Sequence, residues 1–171
     1  KVDIAGLMPE FGNSVFIGIQ TLELTGKVKA IPDKLCIECK KLEKIIIPSS
    51  VTKIGNYSFY GCSSLSEINI PSSVKTIGHY AFKGCSKLSS VIFGENSPLT
   101  EINEGVFSEC TSLCSIKIPA KVENIGKSAF AKCDCLKDIS FESVEKLTSI
   151  SANAFENCIS LSLNFMLKIT L

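Results

Sequence analysis

One pattern of apolar and polar positions recurs along the chain every 23 to 25 residues. Each copy opens with two apolar residues on either side of a position that faces the other way, as in Ile68-Asn69-Ile70. Further apolar positions follow at fixed spacing, so that residues 45–65 and 68–88 align along their whole length. Because alternation of this kind indicates a half-buried strand, every copy is predicted to begin with a β-strand.

Six copies align, and each is called a rung below. Two rungs are longer by two residues, which fall at Asn96-Ser97-Pro98 and Val144-Glu145-Lys146. The rungs begin at Leu22, Ile45, Ile68, Val91, Ile116 and Ile139. Since no rung can bury its apolar side alone, the rungs must stack with parallel strands about 4.8 Å apart.

The rest of each rung also follows a pattern. Val51, Ile54 and Gly55 predict a second short extended segment and a turn, and residues 58–65 predict a tight helical turn back to the next strand. One apolar position is expected to form a stacked spine of Phe59, Phe82, Phe107, Phe130 and Phe155.

We interpret residues 22–163 as the repeat array, 1–21 as an N-terminal flank or cap, and 164–171 as a C-terminal strand. Bare ends of a repeat array expose core surface, so self-association through the ends is expected.

The string Cys-x-x-Leu-x-x-Ile-x-Ile-Pro-x-x-Val-x-x-Ile-Gly-x-x-Ala-Phe, carried almost unbroken by residues 62–82, resembles the BspA-type leucine-rich repeat. The resemblance covers residues 22–163 and implies an α/β repeat solenoid. Such a solenoid is a right-handed curved array with a parallel sheet on its concave face and short strands, turns and 3-10 pieces on the convex side. Local departures are Cys36 in place of the spine Phe, and Glu38, Glu109 and Asn157 in place of the second Gly.

The nine cysteines are sorted by the repeat. Six of them share one position of the rung: Cys39, Cys62, Cys85, Cys110, Cys133 and Cys158. These six should form a buried ladder, since free Cys behaves as a small apolar group. The Cys36-x-x-Cys39 spacing matches half of a zinc site or a redox pair, but no second pair has matching spacing. Cys114 and Cys135 lie off the ladder and are expected to be exposed.

Composition and motifs argue against several functions. The net charge is +1 and all eighteen basic residues are Lys, which disfavours nucleic-acid binding, where Arg is the usual reader. No apolar run approaches the roughly 18 residues of a membrane span, so no membrane insertion is expected for this segment. The chain has one histidine, His79, at a turn, and no phosphate loop or dinucleotide fingerprint. We therefore expect no enzyme activity, cofactor or metal.

The outward positions of the first strand of each rung are the candidate binding surface. Most carry polar residues, but Ile46 and Ile92 are apolar, two rungs and roughly 10 Å apart with Asn69 between them. An apolar centre with a charged rim is the layout of a contact site. The predicted partner-binding residues are Lys44, Ile46, Glu67, Asn69, Ile92 and Lys117. Single exposed apolar residues are also normal on strands, so the alternative that this surface has no binding site is kept.

The function expected is a non-catalytic module that binds a protein or glycan ligand through the solenoid surface. Two alternatives stay open: a structural spacer or stalk, and a targeting domain of a larger intracellular protein. The resemblance implies a role as an adhesin or antigen that is secreted or lies on the cell surface, although some members of the family are intracellular. The residues alone leave the localisation undecided.

Overall fold

The structure is a computed structural model in which residues 16–25 and 28–162 are described. The expected C-terminal strand, most of the expected N-terminal cap and the expected association through the ends lie outside these residues.

Each rung of the described chain contributes two parallel strands. The longer ones are β1 (Thr21–Glu23), β3 (Lys44–Ile46), β5 (Glu67–Ile70), β7 (Ser90–Phe93), β9 (Ser115–Ile118) and β11 (Asp138–Phe141). The shorter ones are β2 (Ala30–Ile31), β4 (Lys53–Ile54), β6 (Thr76–Ile77), β8 (Glu101–Ile102), β10 (Asn124–Ile125) and β12 (Ser149–Ile150). The result is a parallel-strand solenoid of six turns.

Strand pairing confirms the register of the rungs. Leu22 pairs with Ile45, Ile68 with Val91, and Ile116 with Ile139. In the shorter strands Ile125 pairs with both Ile102 and Ile150. The two extra residues of the longer rungs therefore fall between the longer and the shorter strand, where they extend a loop without shifting the ladder.

The segment that returns the chain to the next rung is a series of tight turns, so the predicted helical turn is not confirmed. Tyr57 and Gly61 take left-handed backbone conformations, with φ of 55° and 70°, which a helix does not tolerate. Alternate N–H groups then point along the array: Phe59 donates to the carbonyl of Ala81 at 2.8 Å, and Gly61 to that of Lys83 at 2.8 Å. The described residues contain no α-helix, so the expected α/β class is not confirmed and the fold is a β-solenoid.

Glycine follows the shorter strand in three of the rungs, at Gly55, Gly78 and Gly126, because adjacent rungs approach closely there. A Cβ on Gly78 would lie 2.5 Å from the backbone nitrogen of Asn56, and one on Gly55 would lie 2.5 Å from that of Asp33. Backbone cannot move aside as a flexible side chain can, so this position favours a residue without a side chain.

The five spine phenylalanines stack as predicted. Successive ring centroids lie 5.3, 5.6, 5.6 and 5.4 Å apart, and neighbouring rings are within 17° of parallel. Phe59, Phe82, Phe107 and Phe130 are fully buried, and Phe155 in the last rung is half-buried. Cys36 takes the spine position in the first rung and is also buried, as the alignment indicates.

The cysteine ladder lies beside this spine, with five members buried and Cys158 half-buried in the last rung. The thiol of Cys85 donates to the carbonyl of Phe59, one rung earlier, at 3.2 Å. The same bond recurs from Cys62, Cys110, Cys133 and Cys158 to the spine residues Cys36, Phe82, Phe107 and Phe130. Burial raises the pKa of Cys85, so this thiol stays protonated and can donate.

We expect Phe82→Ala to lower the free energy of unfolding by about 3–5 kcal/mol, because it leaves a cavity between two stacked rings. Chemical denaturation followed by circular dichroism measures this loss. Phe155→Ala is the matched control and should cost clearly less, since Phe155 is half-buried and stacks in the last rung. A loss below about 1 kcal/mol for Phe82→Ala would contradict the buried spine.

We also expect a thiol reagent to modify the fully reduced native chain first at Cys135, then at Cys114, and far more slowly at the buried ladder. Cys135 is exposed and Cys114 half-buried, whereas a buried thiol reacts only after local opening of the array. Peptide mass spectrometry over a time course measures the order. Equal rates at Cys85 and Cys135 would mean that the ladder is not buried.

Candidate functional site

The outward face of the longer strands carries the candidate site. In β3 the side chains of Lys44 and Ile46 are exposed, whereas Ile45 between them is buried. β5 repeats this alternation, with Glu67 and Asn69 exposed. Period-two alternation thus places every second residue of the strands on one solvent-facing surface.

Two large apolar side chains interrupt this polar surface. Ile46 is 43% exposed and Ile92 is 55% exposed. Asn69 pairs with Ile92 across β5 and β7, so it lies between the two isoleucines. A shallow groove of about 220 Å³ runs between them, and its lining consists of Lys44, Ile45, Ile46, Ile47, Glu67, Asn69, Ile70, Pro71, Ile92 and Gly94. Five of the six predicted partner-binding residues therefore line one groove.

The groove coincides with a seam between paired strands. Among the described longer strands, hydrogen-bonded ladders join β1 to β3, β5 to β7 and β9 to β11, and none joins β3 to β5. In the β5–β7 pair, the N–H of Gly94 donates to the carbonyl of Ile70 at 2.9 Å. Pro71 holds the place of Gly94 one rung earlier and has no N–H to donate towards Ile47.

The second seam, between β7 and β9, has Pro119 at the same position. Its counterpart in the β9–β11 ladder, Glu142, donates its N–H to Ile118 at 2.9 Å. Proline at this position is not sufficient to break a ladder, because β3 is followed by Pro48 and still pairs with β1. That pair is three residues long, whereas the β5–β7 and β9–β11 pairs are four.

The sixth predicted residue, Lys117, does not line the groove. It lies on β9, beyond the second seam, where its Nζ is 3.3 Å from Oε1 of Glu142. Glu142 also accepts a hydrogen bond from the backbone N–H of Ala120. The rim of the groove is thus formed by Lys44 and Glu67, of opposite charge, and Lys117 belongs to a separate ion pair.

A cluster of aromatic side chains on the turn side was not anticipated from the sequence. The chain has three tyrosines, and all of them meet there: Tyr57 stacks on Tyr80 at 5.1 Å and contacts Tyr60 at 6.0 Å. Lys83 lies over the rings of Tyr60 and Tyr80. The spacing of 23 residues between Tyr57 and Tyr80, one rung, was the signal that could have revealed the pair.

Two polar groups of this cluster have acidic partners. The hydroxyl of Tyr80 donates to Oε1 of Glu104 at 2.5 Å, and this bond, with burial and the carboxylate charge, raises the pKa of Tyr80 to about 12. Lys83 pairs with Glu109 at 3.5 Å. The cluster therefore packs the turns of neighbouring rungs against each other.

A second missed feature is the proximity of Cys114 and Cys135, the two thiols outside the ladder. They are 21 residues apart, so the repeat period does not align them, but the structure brings their thiols together in adjacent rungs. The Cys36 and Cys39 thiols also contact each other, but inside the core, where this hydrogen bond and burial raise the pKa of Cys36.

The remaining candidate residues, His79 and the Asn-x-Ser sequence, lie in turns where their polar groups make hydrogen bonds within the chain. His79 is exposed at a turn, and its backbone N–H donates to Oδ1 of Asn56 at 2.8 Å. Asn56 begins the Asn-x-Ser glycosylation sequence, but its Nδ2 is bonded to Asp33 and Ser58 is fully buried, which disfavours a glycan on the folded chain. Within residues 16–25 and 28–162, no group of three or more His, Cys, Asp or Glu side chains is arranged to hold a metal ion.

The same part of the chain has no helix that is long and apolar enough to span a membrane.

Solved structures similar to this solenoid are bacterial repeat proteins. A leucine-rich repeat protein from Eubacterium ventriosum matches with a TM-score of 0.71 and 23% identity, over 84% of this chain and 44% of that one. A leucine-rich cell surface protein from Faecalibacterium prausnitzii matches with a TM-score of 0.51 and 24% identity, over 84% and 52%. The pneumococcal vaccine antigen PcpA matches with a TM-score of 0.62 and 22% identity, over 79% and 31%.

The chain thus spans about half or less of the length of these three proteins. No curated protein matches it in sequence. The family model of the BspA type leucine-rich repeat region matches residues 8–162 with six copies, as many as the rungs of the structure. The chain therefore belongs to the BspA-type leucine-rich repeat family.

Proposed function

We propose that this chain is a non-catalytic binding module that takes a protein partner in the groove between Ile46 and Ile92. The observation that carries the proposal is two exposed isoleucines facing outward across an apolar floor, with Lys44 and Glu67 at the rim. Apolar centres surrounded by polar rims are typical of protein contact sites. A glycan, the second ligand class considered, offers fewer apolar groups to this floor.

The shape of the array favours the same surface. Repeat solenoids use their extended concave face for binding, and we infer that the longer strands form that face in a right-handed curved array. The groove then lies inside the curve, where a partner can contact several rungs at once. Lys117 and Glu142 would meet such a partner at the edge of the contact.

The electrostatic character of the chain supports a protein rather than a polyanion. The net charge is +1, and the rim carries one Lys and one Glu, so no strong field of either sign is present to attract nucleic acid. We infer that binding depends on apolar contact and shape, and that it is only weakly sensitive to salt.

We further propose that the chain acts at a cell surface as an adhesin or antigen. Support comes from the structural neighbours described by name as a cell surface protein and as a vaccine antigen. The alternative with some support is a spacer, because a regular array of six rungs also holds flanking segments at a fixed distance. A targeting domain of a larger protein would use the same groove.

The double variant Ile46→Ser with Ile92→Ser tests the groove. Removing both apolar contacts should weaken binding to a protein partner by roughly 10- to 100-fold. Each isoleucine is about half exposed, so its burial contributes about 0.7–1.4 kcal/mol, half of the value for a fully exposed side chain, and 1.4 kcal/mol is a factor of ten. The measurement is surface plasmon resonance of the chain against purified extracellular matrix proteins immobilised singly.

The matched control is Val144→Ser with Ile159→Ser, which removes two apolar side chains that are 54% and 80% exposed elsewhere on the array. Both double variants should have the same free energy of unfolding as the unchanged chain, within about 0.5 kcal/mol per substituted site. Saturable binding lost only in the groove variant supports the proposal. Equal affinity in all three proteins would place the binding site elsewhere on the array, and no saturable binding to any matrix protein favours the spacer.

A further inference from the structure

Two thiols outside the buried ladder lie together at the boundary between the fourth and fifth rungs. Cys114 is half-buried and directly precedes β9, and Cys135 is exposed. The carbonyl oxygen of Cys114 accepts hydrogen bonds from the backbone N–H groups of Lys137, at 3.1 Å, and Asp138, at 3.3 Å. These bonds hold the segments around the two cysteines against each other.

The side chain of Cys114 lies against its own rung. Its Sγ turns back over the preceding turn and lies 3.5 Å from the carbonyl oxygen of Ser112. Cys135 occupies in the fifth rung the place that Ser112 has in the fourth, about 4.8 Å away along the array. The two thiols therefore lie close to each other across this step, and the neighbouring Cys135 thiol raises the pKa of Cys114.

The accessible pair differs from the thiols of the ladder. Cys133 and Cys158 also contact each other between adjacent rungs, but Cys133 is fully buried beside the phenylalanine spine. A redox partner in solution cannot reach a thiol there without opening the array. Cys135 is open to solvent and its neighbour is within reach, which is the arrangement of an attacking and a resolving thiol.

We propose that Cys114 and Cys135 form a reversible disulfide bond that links the fourth rung to the fifth. The Sγ of Cys114 lies beside the carbonyl of Ser112, and Cys135 stands one rung spacing further along the array, so rotation of the exposed Cys135 side chain brings the two sulfurs together. The bond closes the segment that contains β9 and β10 into a covalent loop. A closed loop restricts the unfolded chain, so oxidation stabilises the middle of the array and reduction releases it.

The oxidant is a low-molecular-weight disulfide, and the reaction is thiol–disulfide exchange. Cys135 loses its proton, and its sulfur bonds to one sulfur of glutathione disulfide while the glutathione S–S bond breaks and one glutathione thiolate leaves. Cys114 then loses its proton and attacks the Cys135 sulfur, and the second glutathione leaves. In total the two protein thiols give up two electrons and two protons, and one glutathione disulfide becomes two glutathione molecules.

The test is incubation of the native, fully reduced 171-residue chain with glutathione disulfide, followed by thiol counting and mass spectrometry without reduction. We expect the unchanged chain to go from nine free thiols to seven, to remain monomeric and to retain no glutathione. Cys114→Ser should trap one glutathione on Cys135. Cys135→Ser should react about tenfold more slowly, because its remaining thiol is half-buried.

A second readout is the urea midpoint of unfolding, which should rise on oxidation of the unchanged chain and not in either single variant. Three outcomes would overturn the proposal: the unchanged chain retains glutathione as Cys114→Ser does, the cross-link joins two chains, or Cys114→Ser still loses two thiols without gaining glutathione. The last outcome would locate the bond in the ladder instead.

Discussion

The backbone hydrogen bonds and core contacts that each rung exchanges with its neighbours are the interaction on which this structure depends. A rung has too few apolar residues to enclose itself, and its strands are two to four residues long, so neither its core nor its backbone is satisfied alone. Three parallel features therefore run along the array: the longer strands, the shorter strands and the turns, where alternate N–H groups reach the next rung. Phe82 stacked between Phe59 and Phe107 shows the same dependence in the core.

This dependence explains why chemically unusual residues are tolerated where they are. Buried cysteine is useful beside the spine because it is small and its thiol can donate to a carbonyl one rung away, as Cys85 does to Phe59. Left-handed conformations at Tyr57 and Tyr80 are unfavourable for residues with side chains, but they recur in register because the turn hydrogen bonds require them. Stacking of those two rings and the bond from Tyr80 to Glu104 offset part of that cost.

The two surface features proposed as functional arise where the repetition is imperfect. Pro71 lacks the N–H that Gly94 donates one rung later. The groove between Ile46 and Ile92 lies at the seam between β3 and β5. Cys114 and Cys135 occupy positions that hold Ser or Lys in the second and third rungs, and they are neighbours only because successive rungs stack. An ideal repeat would present a uniform surface, so the proposed recognition and the proposed redox chemistry both depend on the departures.

The amino-acid sequence by itself determined the rung boundaries, the strand alternation and the burial of the spine and ladder, because each follows from a spacing that recurs six times. It also placed Ile46, Asn69 and Ile92 on one outward surface, since side chains alternate along a strand. Only the tertiary structure decided that the return segment is a series of tight turns with left-handed residues, because alternate N–H groups of the segment donate to another rung. The same holds for the seams, the pairing of Lys117 with Glu142 and the contact of Cys114 with Cys135, which depend on distances between rungs that a spacing along the chain does not contain.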